Sequence, residues 1–204
     1  RLHNIEKRER ANSTALKETL KASEEILRTV KPGDPNGILV FEPGLGEIQK
    51  LKEDLAKRLP PDVRKVATIL PLHANMSPAE QQLCFEKYPG VKIIISTDVS
   101  QTSLTIPDII RVIDTGFQRR KELDNEGKEG LEKHPISQAD CDQRAGRCGR
   151  VTDGIYTLTR IDEKTPFTPY ISRPKFPTPE ILRTDIVRTV LKAAASDFEI
   201  GILK

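Results

Sequence analysis

Residues 37–59, GILVFEPGLGEIQKLKEDLAKRL, decide how this chain is read. The run GILVFE (37–42) is apolar without alternation, as in a strand buried on both faces. A short glycine-bearing loop follows, and GEIQKLKEDLAKRL (46–59) reads as a helix closed by Pro60 and Pro61. The same grammar repeats outward in both directions. Upstream, NSTALKETLKASEEILRTV (12–30) reads as an amphipathic helix, with Asn12 or Ser13 able to cap it and KPGDPNG stopping it. Downstream, VATILPLH (66–73), VKIIIST (91–97) and IIRVIDTG (109–116) read as further strands. Between the first two of these, SPAEQQLCFEKY (77–88) carries a serine cap, a proline in the first helical position and a glutamate three residues after the cap. Continuous apolar strands alternating with amphipathic helices predict an α/β fold with a parallel sheet flanked by helices. Ligands of such sheets bind beyond the carboxyl ends of the strands. That rule singles out the loops EPGLGE, LHANMS and STDVSQTS.

Bulk properties narrow the function classes. Hydrophobic residues at 36% and charged residues at 31% of 204 fit a soluble globular chain. A net charge of +3 is too small to argue for nucleic acid by itself. With six Phe, three Tyr and no Trp, a stacking platform for single strands is not indicated. Cys84, Cys141 and Cys148 match no zinc spacing, so reduced thiols, an intracellular location (cytoplasmic or nuclear) and no metal site are expected. The longest apolar runs are too short to span a bilayer, and no signal-peptide pattern opens the chain. The abrupt charged start, RLHNIEKRER, suggests a piece of something longer.

Residues 117–136 break the pattern. FQRRKELDNEGKEGLEKHPI has five basic and five acidic residues between positions 119 and 133. A charged hairpin turning near DNEG and a solvated loop are both compatible with it. DGIYTLTR (153–160) reads as a closing strand, and TPFTPYISRPKFPTP as a proline-rich linker laid along the surface. EILRTDIVRTVLKAAA (180–195) reads as a final helix.

The densest chemical signal is QRAGRCGR (143–150), three arginines and a glutamine spaced by small residues with no acid to dilute the charge. On a helix turning about 100° per residue, Gln143 sits at about 0°, Arg147 at about 40° and Arg150 at about −20°, while Arg144 points away near 100°. Like charges at that spacing repel, so an anion is expected between them, and arginine forks match phosphate oxygens. Gly146 and Gly149 each cost a helix roughly 1 kcal/mol against alanine, which asks for a close approach of another chain or ligand. A solvated basic helix is the alternative.

Taken together, ISTDVSQTSLTIPDIIRVIDTGF, the charged stretch, and HPISQADCDQRAGRCGRV resemble the second RecA-like domain of the DEAH-box (DEAH/RHA) helicases of superfamily 2. GILVFEPGLGEIQKL is similar to that family's motif IV and LPLHANMSPAEQQLCFE to the segment after it, so the likeness runs in order over roughly residues 12–160. The resemblance implies a RecA-like domain over 1–163, a linker over 164–179 and, over 180–204, the start of a winged-helix-like domain. It implies that Arg147 and Arg150 are arginine fingers for the γ-phosphate of ATP and that Gln143 positions the attacking water. Ser103 and Thr105 resemble the motif V hydroxyls that sense nucleotide, and Phe85 the ring that stacks on the base. Many members carry an aspartate near the ribose at position 107; here Pro107 stands there and Asp108 follows, so the contact is either lost or shifted by one. Thr97, Asp98, Gly44 and Gly46 correspond to positions along the RNA channel. Asp98 replaces the usual asparagine, and a carboxylate beside phosphate needs a cation of its own. The charged hairpin corresponds to the strand-separating wedge.

No G-x-x-x-x-G-K-[ST] loop and no Asp-Glu-x-His motif occurs in the sequence. In the resembled family both belong to the first RecA-like domain, which would hold Mg²⁺ and the general base. The expected partners are therefore that domain, RNA (with DNA open) and protein activators, without a membrane. The 204-residue chain alone is expected to be inactive. Competing readings are a catalytically silent RecA-like module that binds RNA or scaffolds, and an unrelated nucleotide-binding α/β protein.

Overall fold

The computed structural model describes residues 3–98, 106–123 and 129–179. Among these residues eight strands and five helices run in the order β1 (Ile5–Thr14), α1 (Ala15–Thr29), β2 (Gly37–Phe41), α2 (Leu45–Arg58), α3 (Pro61–Val66), β3 (Ala67–Leu72), α4 (Pro78–Leu83), β4 (Val91–Ser96), β5 (Ile109–Asp114), β6 (Phe117–Leu123), β7 (Glu129–Pro135), α5 (Gln138–Ala145) and β8 (Gly154–Arg160). Six strands form one sheet in the order β1-β8-β5-β2-β4-β3, and every neighbouring pair is parallel. β6 and β7 form a separate antiparallel ribbon, with Phe117 opposite Pro135. The parallel sheet and the charged hairpin are thus as expected. The hairpin tip, residues 124–128, and the predicted final helix, 180–195, lie outside the described residues.

Helices cover both faces of the sheet. On one face, α1, α2 and α3 bring Ile26, Ile48, Leu51, Leu55 and Val63 onto Ile38, Val40, Ile93, Ile95 and Ile113. The spacing of the α2 residues puts them on one stripe of the helix, and β2 and β4 are buried along their whole length. On the other face, α5 and the end of α4 set Cys84, Cys141, Ala145 and Cys148 against Leu39, Phe41, Ile94, Val112, Tyr156 and Leu158. Burial pushes the thiols of all three cysteines up to about 11, so they pack as small apolar groups.

Four sequence expectations change. The charged start is a ten-residue edge strand, β1, paired in parallel with β8, so the helix expected from residue 12 begins at Ala15. Charged side chains along an exposed edge protect it from pairing with another chain. They also erase the apolar alternation that would reveal a strand. β8 does not close the sheet but lies inside it, between β1 and β5. Pro61 closes α2 but also opens α3, as proline does in a first helical turn. The helix expected over 77–88 has its capping box, with Ser77 and Glu80 bonding each other's backbone, but ends at Leu83. The proline-rich segment is fastened to the domain. The buried Arg173 donates to the carbonyls of Gly116, Ile136 and Thr168, and the carbonyls of Pro174 and Lys175 accept from the first amides of α5.

Candidate functional site

The arginine-rich run is only partly helical. α5 ends at Ala145, with Gly146 as its cap, and the chain then turns sharply. Gly149 takes a left-handed conformation (φ 72°) where a side chain would strike Ile5 of β1. The glycines therefore serve a turn that folds the run back against the edge strand, which corrects the single-helix geometry drawn from the sequence. The side chains converge nonetheless. Gln143, Arg144, Arg147 and Arg150 line one cavity with Phe85, Ser96, Asp98, Ile106 and Ile109. That cavity reaches from the carboxyl tip of β4 down the face of the sheet.

The three arginines are not equivalent. Arg144 is 2% exposed. Its Nη1 donates to Asp114 Oδ1 at 2.7 Å, its Nη2 lies 3.7 Å from Asp98 Oδ2, and its guanidinium stacks 4.7 Å from the centre of the Phe41 ring. Burial opposes its charge, but Asp114 and Asp98 outweigh burial and raise its pKa. Asp114 is held in turn by the Tyr156 hydroxyl at 2.9 Å and the amide of Gly116 at 2.7 Å. Arg144 thus supplies the cation that Asp98 needs, and serves structure. Arg147 is half-buried and Gln143 exposed, and neither side chain makes a hydrogen bond or ion pair among the described residues. Arg150 is exposed and its Nε donates to Gly146 O at 3.3 Å.

Phe85 is half-buried, packs on the sheet-face core and presents itself to the same cavity as the arginines. Ser103 and Thr105 lie outside the described residues. Asp108 does not join Arg147 in that cavity. Its side chain is 8% exposed and makes an ion-pair contact of 2.8 Å with Lys92 Nζ, itself fully buried. Lys92 is a residue that sequence reasoning passed over. The signal was present: a lone lysine inside VKIIIS must find a counter-ion.

At the carboxyl ends of β1 and β2 lies a separate groove of about 700 Å³, lined among others by Glu42, Gly46, Glu47, Arg119 and Lys133. Gly46 faces open space there, whereas Gly44 lies directly beneath Arg119, which is paired with Glu47 at 3.0 Å. Thr97, just past β4, commits its amide to Leu72 O at 3.2 Å, leaving its hydroxyl without a partner among the described residues. Glu42 is buried, and its carboxyl is pushed well above the usual range by burial, then by Glu47 and Asp114.

The helicase conserved C-terminal domain family matches residues 18–152. The chain belongs to that family. Among its relatives, the ATP-dependent RNA helicase HrpA of Escherichia coli is 39% identical over 159 residues, 78% of this chain and 12% of that protein. The human putative ATP-dependent RNA helicase DHX57 is 45% identical over 126 residues, 59% of this chain and 9% of that protein. The crystal structure of the E. coli DExH-box NTPase HrpB superimposes with a TM-score of 0.72 at 30% identity, covering 95% of this chain and 23% of that one. The sheet is therefore RecA-like, and the domain is of the DEAH-box, superfamily 2 kind. This helicase domain spans about an eighth or less of the curated relatives it matches.

Proposed function

We propose that this domain is the C-terminal RecA-like half of an ATP-dependent RNA helicase, lending Arg147 and Arg150 to an ATP site completed by a first RecA-like domain. One observation carries the reading. Of the arginines gathered in the cavity, Arg144 is neutralised inside the fold, while Arg147 is left with no partner among the described residues beside the half-buried Phe85 ring. A guanidinium kept clear of internal carboxylates suits the oxygens of a terminal phosphoryl group, whose charge it stabilises as the bond to the leaving oxygen lengthens. Gln143, four residues before Arg147 and lining the same cavity, is proposed to orient the attacking water, and Phe85 to cover the base. Mg²⁺ and the general base are assigned to the first domain. Thr97, just past β4, and Gly46, in the first turn of α2, are proposed to meet the RNA backbone; Gly44 lends itself less, beneath Arg119. Asp98, paired with Arg144, lines the channel without repelling phosphate. For Asp108, the internal ion pair favours the lost ribose contact over the shifted one. Cycles of ATP binding and hydrolysis then close and relax the cleft between the two domains and step the RNA.

The test is made in the complete protein. Arg147→Ala and Arg150→Ala should each lower the ATPase kcat by about 10³-fold or more, the scale of an arginine finger, with RNA affinity close to wild type. Equal losses in hydrolysis and RNA binding would overturn the assignment.

A further inference from the structure

We propose that Lys92 is a positioning residue for the nucleotide, its buried ammonium tying together the two rims between which the arginine-lined cavity opens. This rests on the reading of Phe85 and the arginines as a nucleotide site.

Lys92 is the second residue of β4, is fully buried, and projects onto the same sheet face as Ile94. Its ammonium donates to Cys84 O at 2.9 Å and to Glu86 O at 2.9 Å, and pairs with the charge of Asp108 Oδ1 at 2.8 Å. The two carbonyls flank Phe85. α4 ends at Leu83, and the amide of Phe85 continues the turn to Gln82 O at 2.9 Å, while the carbonyls of Cys84 and Glu86 lie past the last helical bond. Helix-terminal carbonyls left over there accept readily from a cation, and Lys92 holds the chain on both sides of the ring. The third arm reaches the opposite rim. Asp108 follows Ile106, which lines the cavity, and precedes Ile109, which lines it too. The Asp108 carbonyl accepts from the amide of Gly37, so this rim is anchored to β2 as well.

Stability alone does not account for a lysine here. Removing an ammonium from water is costly, and an apolar side chain of similar volume commonly does as well or better inside a protein. What an apolar residue cannot do is hold two backbone carbonyls and a carboxylate at fixed separation. The ammonium sets how far the Phe85 ring stands from the wall that carries Ile106 and Ile109, and so the width available to a base.

The variant to make in the complete protein is Lys92→Met with Asp108→Asn, since Lys92→Met alone strands a buried carboxylate. Asp108→Asn alone, which keeps shape and acceptor, serves as the milder probe. With folding confirmed by thermal melting, the double variant should raise the KM for ATP by about tenfold, the order of a lost base stack, leaving kcat and RNA affinity near wild type. Asp108→Asn should raise the same parameter less. Phe85→Ala should raise it comparably, and adding the double variant to Phe85→Ala should cause no further rise, because both act through one ring. A wild-type KM in the folded double variant and in Asp108→Asn would overturn the role of Lys92 while leaving the nucleotide site standing. So would increases that multiply when combined with Phe85→Ala. If Phe85→Ala itself leaves the KM unchanged, the nucleotide reading of the cavity fails, and the Lys92 inference with it.

Discussion

The two faces of the sheet are built from different materials. Beneath α1, α2 and α3 the interior is almost wholly aliphatic, and the buried hydroxyls of Thr19 and Ser23 only return bonds to their own helix at 2.7 Å. Beneath α4 and α5 the interior holds Lys92, Asp108, Asp114, Arg144 and Tyr156, linked in two buried charge clusters. One face could be filled by any well-packed set of aliphatic side chains. The other spends desolvation energy on ions, and both clusters border the cavity that holds Arg147 and Phe85. The difference teaches that the aliphatic face supplies stability, whereas the charged face supplies position.

Substitutions on each face can break that contrast. The largest effect is expected at Arg144, where Arg144→Met leaves Asp114 buried without its cation and should cost roughly 3–5 kcal/mol in urea unfolding. Adding Asp114→Asn should recover much of that loss, because no charge is then stranded, yet ATPase activity should stay depressed. Full recovery of activity together with stability would show that the charged face is only scaffolding. On the aliphatic face, Leu55→Ala empties a fully buried site and should cost roughly 2–5 kcal/mol. Here the KM for ATP and the RNA affinity of the folded fraction should match wild type. A change in either would mean that the aliphatic face also sets the site.

The same contrast governs what the sequence could disclose. β2, β4 and β5 are continuous apolar runs because both of their sides are covered, and such runs announce themselves. β1 is held by backbone pairing to β8 and by ion pairs such as Lys7 with Asp142 at 2.7 Å, so its side chains carry no strand signature. At QRAGRCGR the residue types and their convergence were legible, but the route was not. Rotation along one helix and a turn folded under at Gly149 bring the same groups together, and only the packing against Ile5 distinguishes them. Arg144 was separable from its neighbours by helical rotation because it lies within α5. Lys92 was visible as an anomaly, yet its three partners come from segments 6 to 16 residues away and no spacing rule joins them.

The smallest effect is expected at Glu42, which sits at the carboxyl end of β2, on the rim of the groove that Leu51 and α1 help to line. It sharpens the comparison because this rim buries a carboxyl that makes no ion pair among the described residues, unlike the charges beneath α5. Burial, then Glu47 and Asp114, raise its pKa in the folded state, and Lys133 and Arg144 only partly oppose them. Below the ordinary value of 4.5 the group is protonated whether folded or unfolded, and it takes nothing from stability. As pH rises past that value the unfolded chain releases the proton while the folded chain retains it, so stability falls until the raised pKa is passed. Glu42→Gln keeps the shape of the protonated form and has no proton to release. Its Tm should match wild type near pH 4 and exceed it by a few degrees at neutral pH. Parallel Tm curves across that range would show that Glu42 is solvated or paired in solution, and the two faces would then differ less in how they treat charge than the buried clusters suggest.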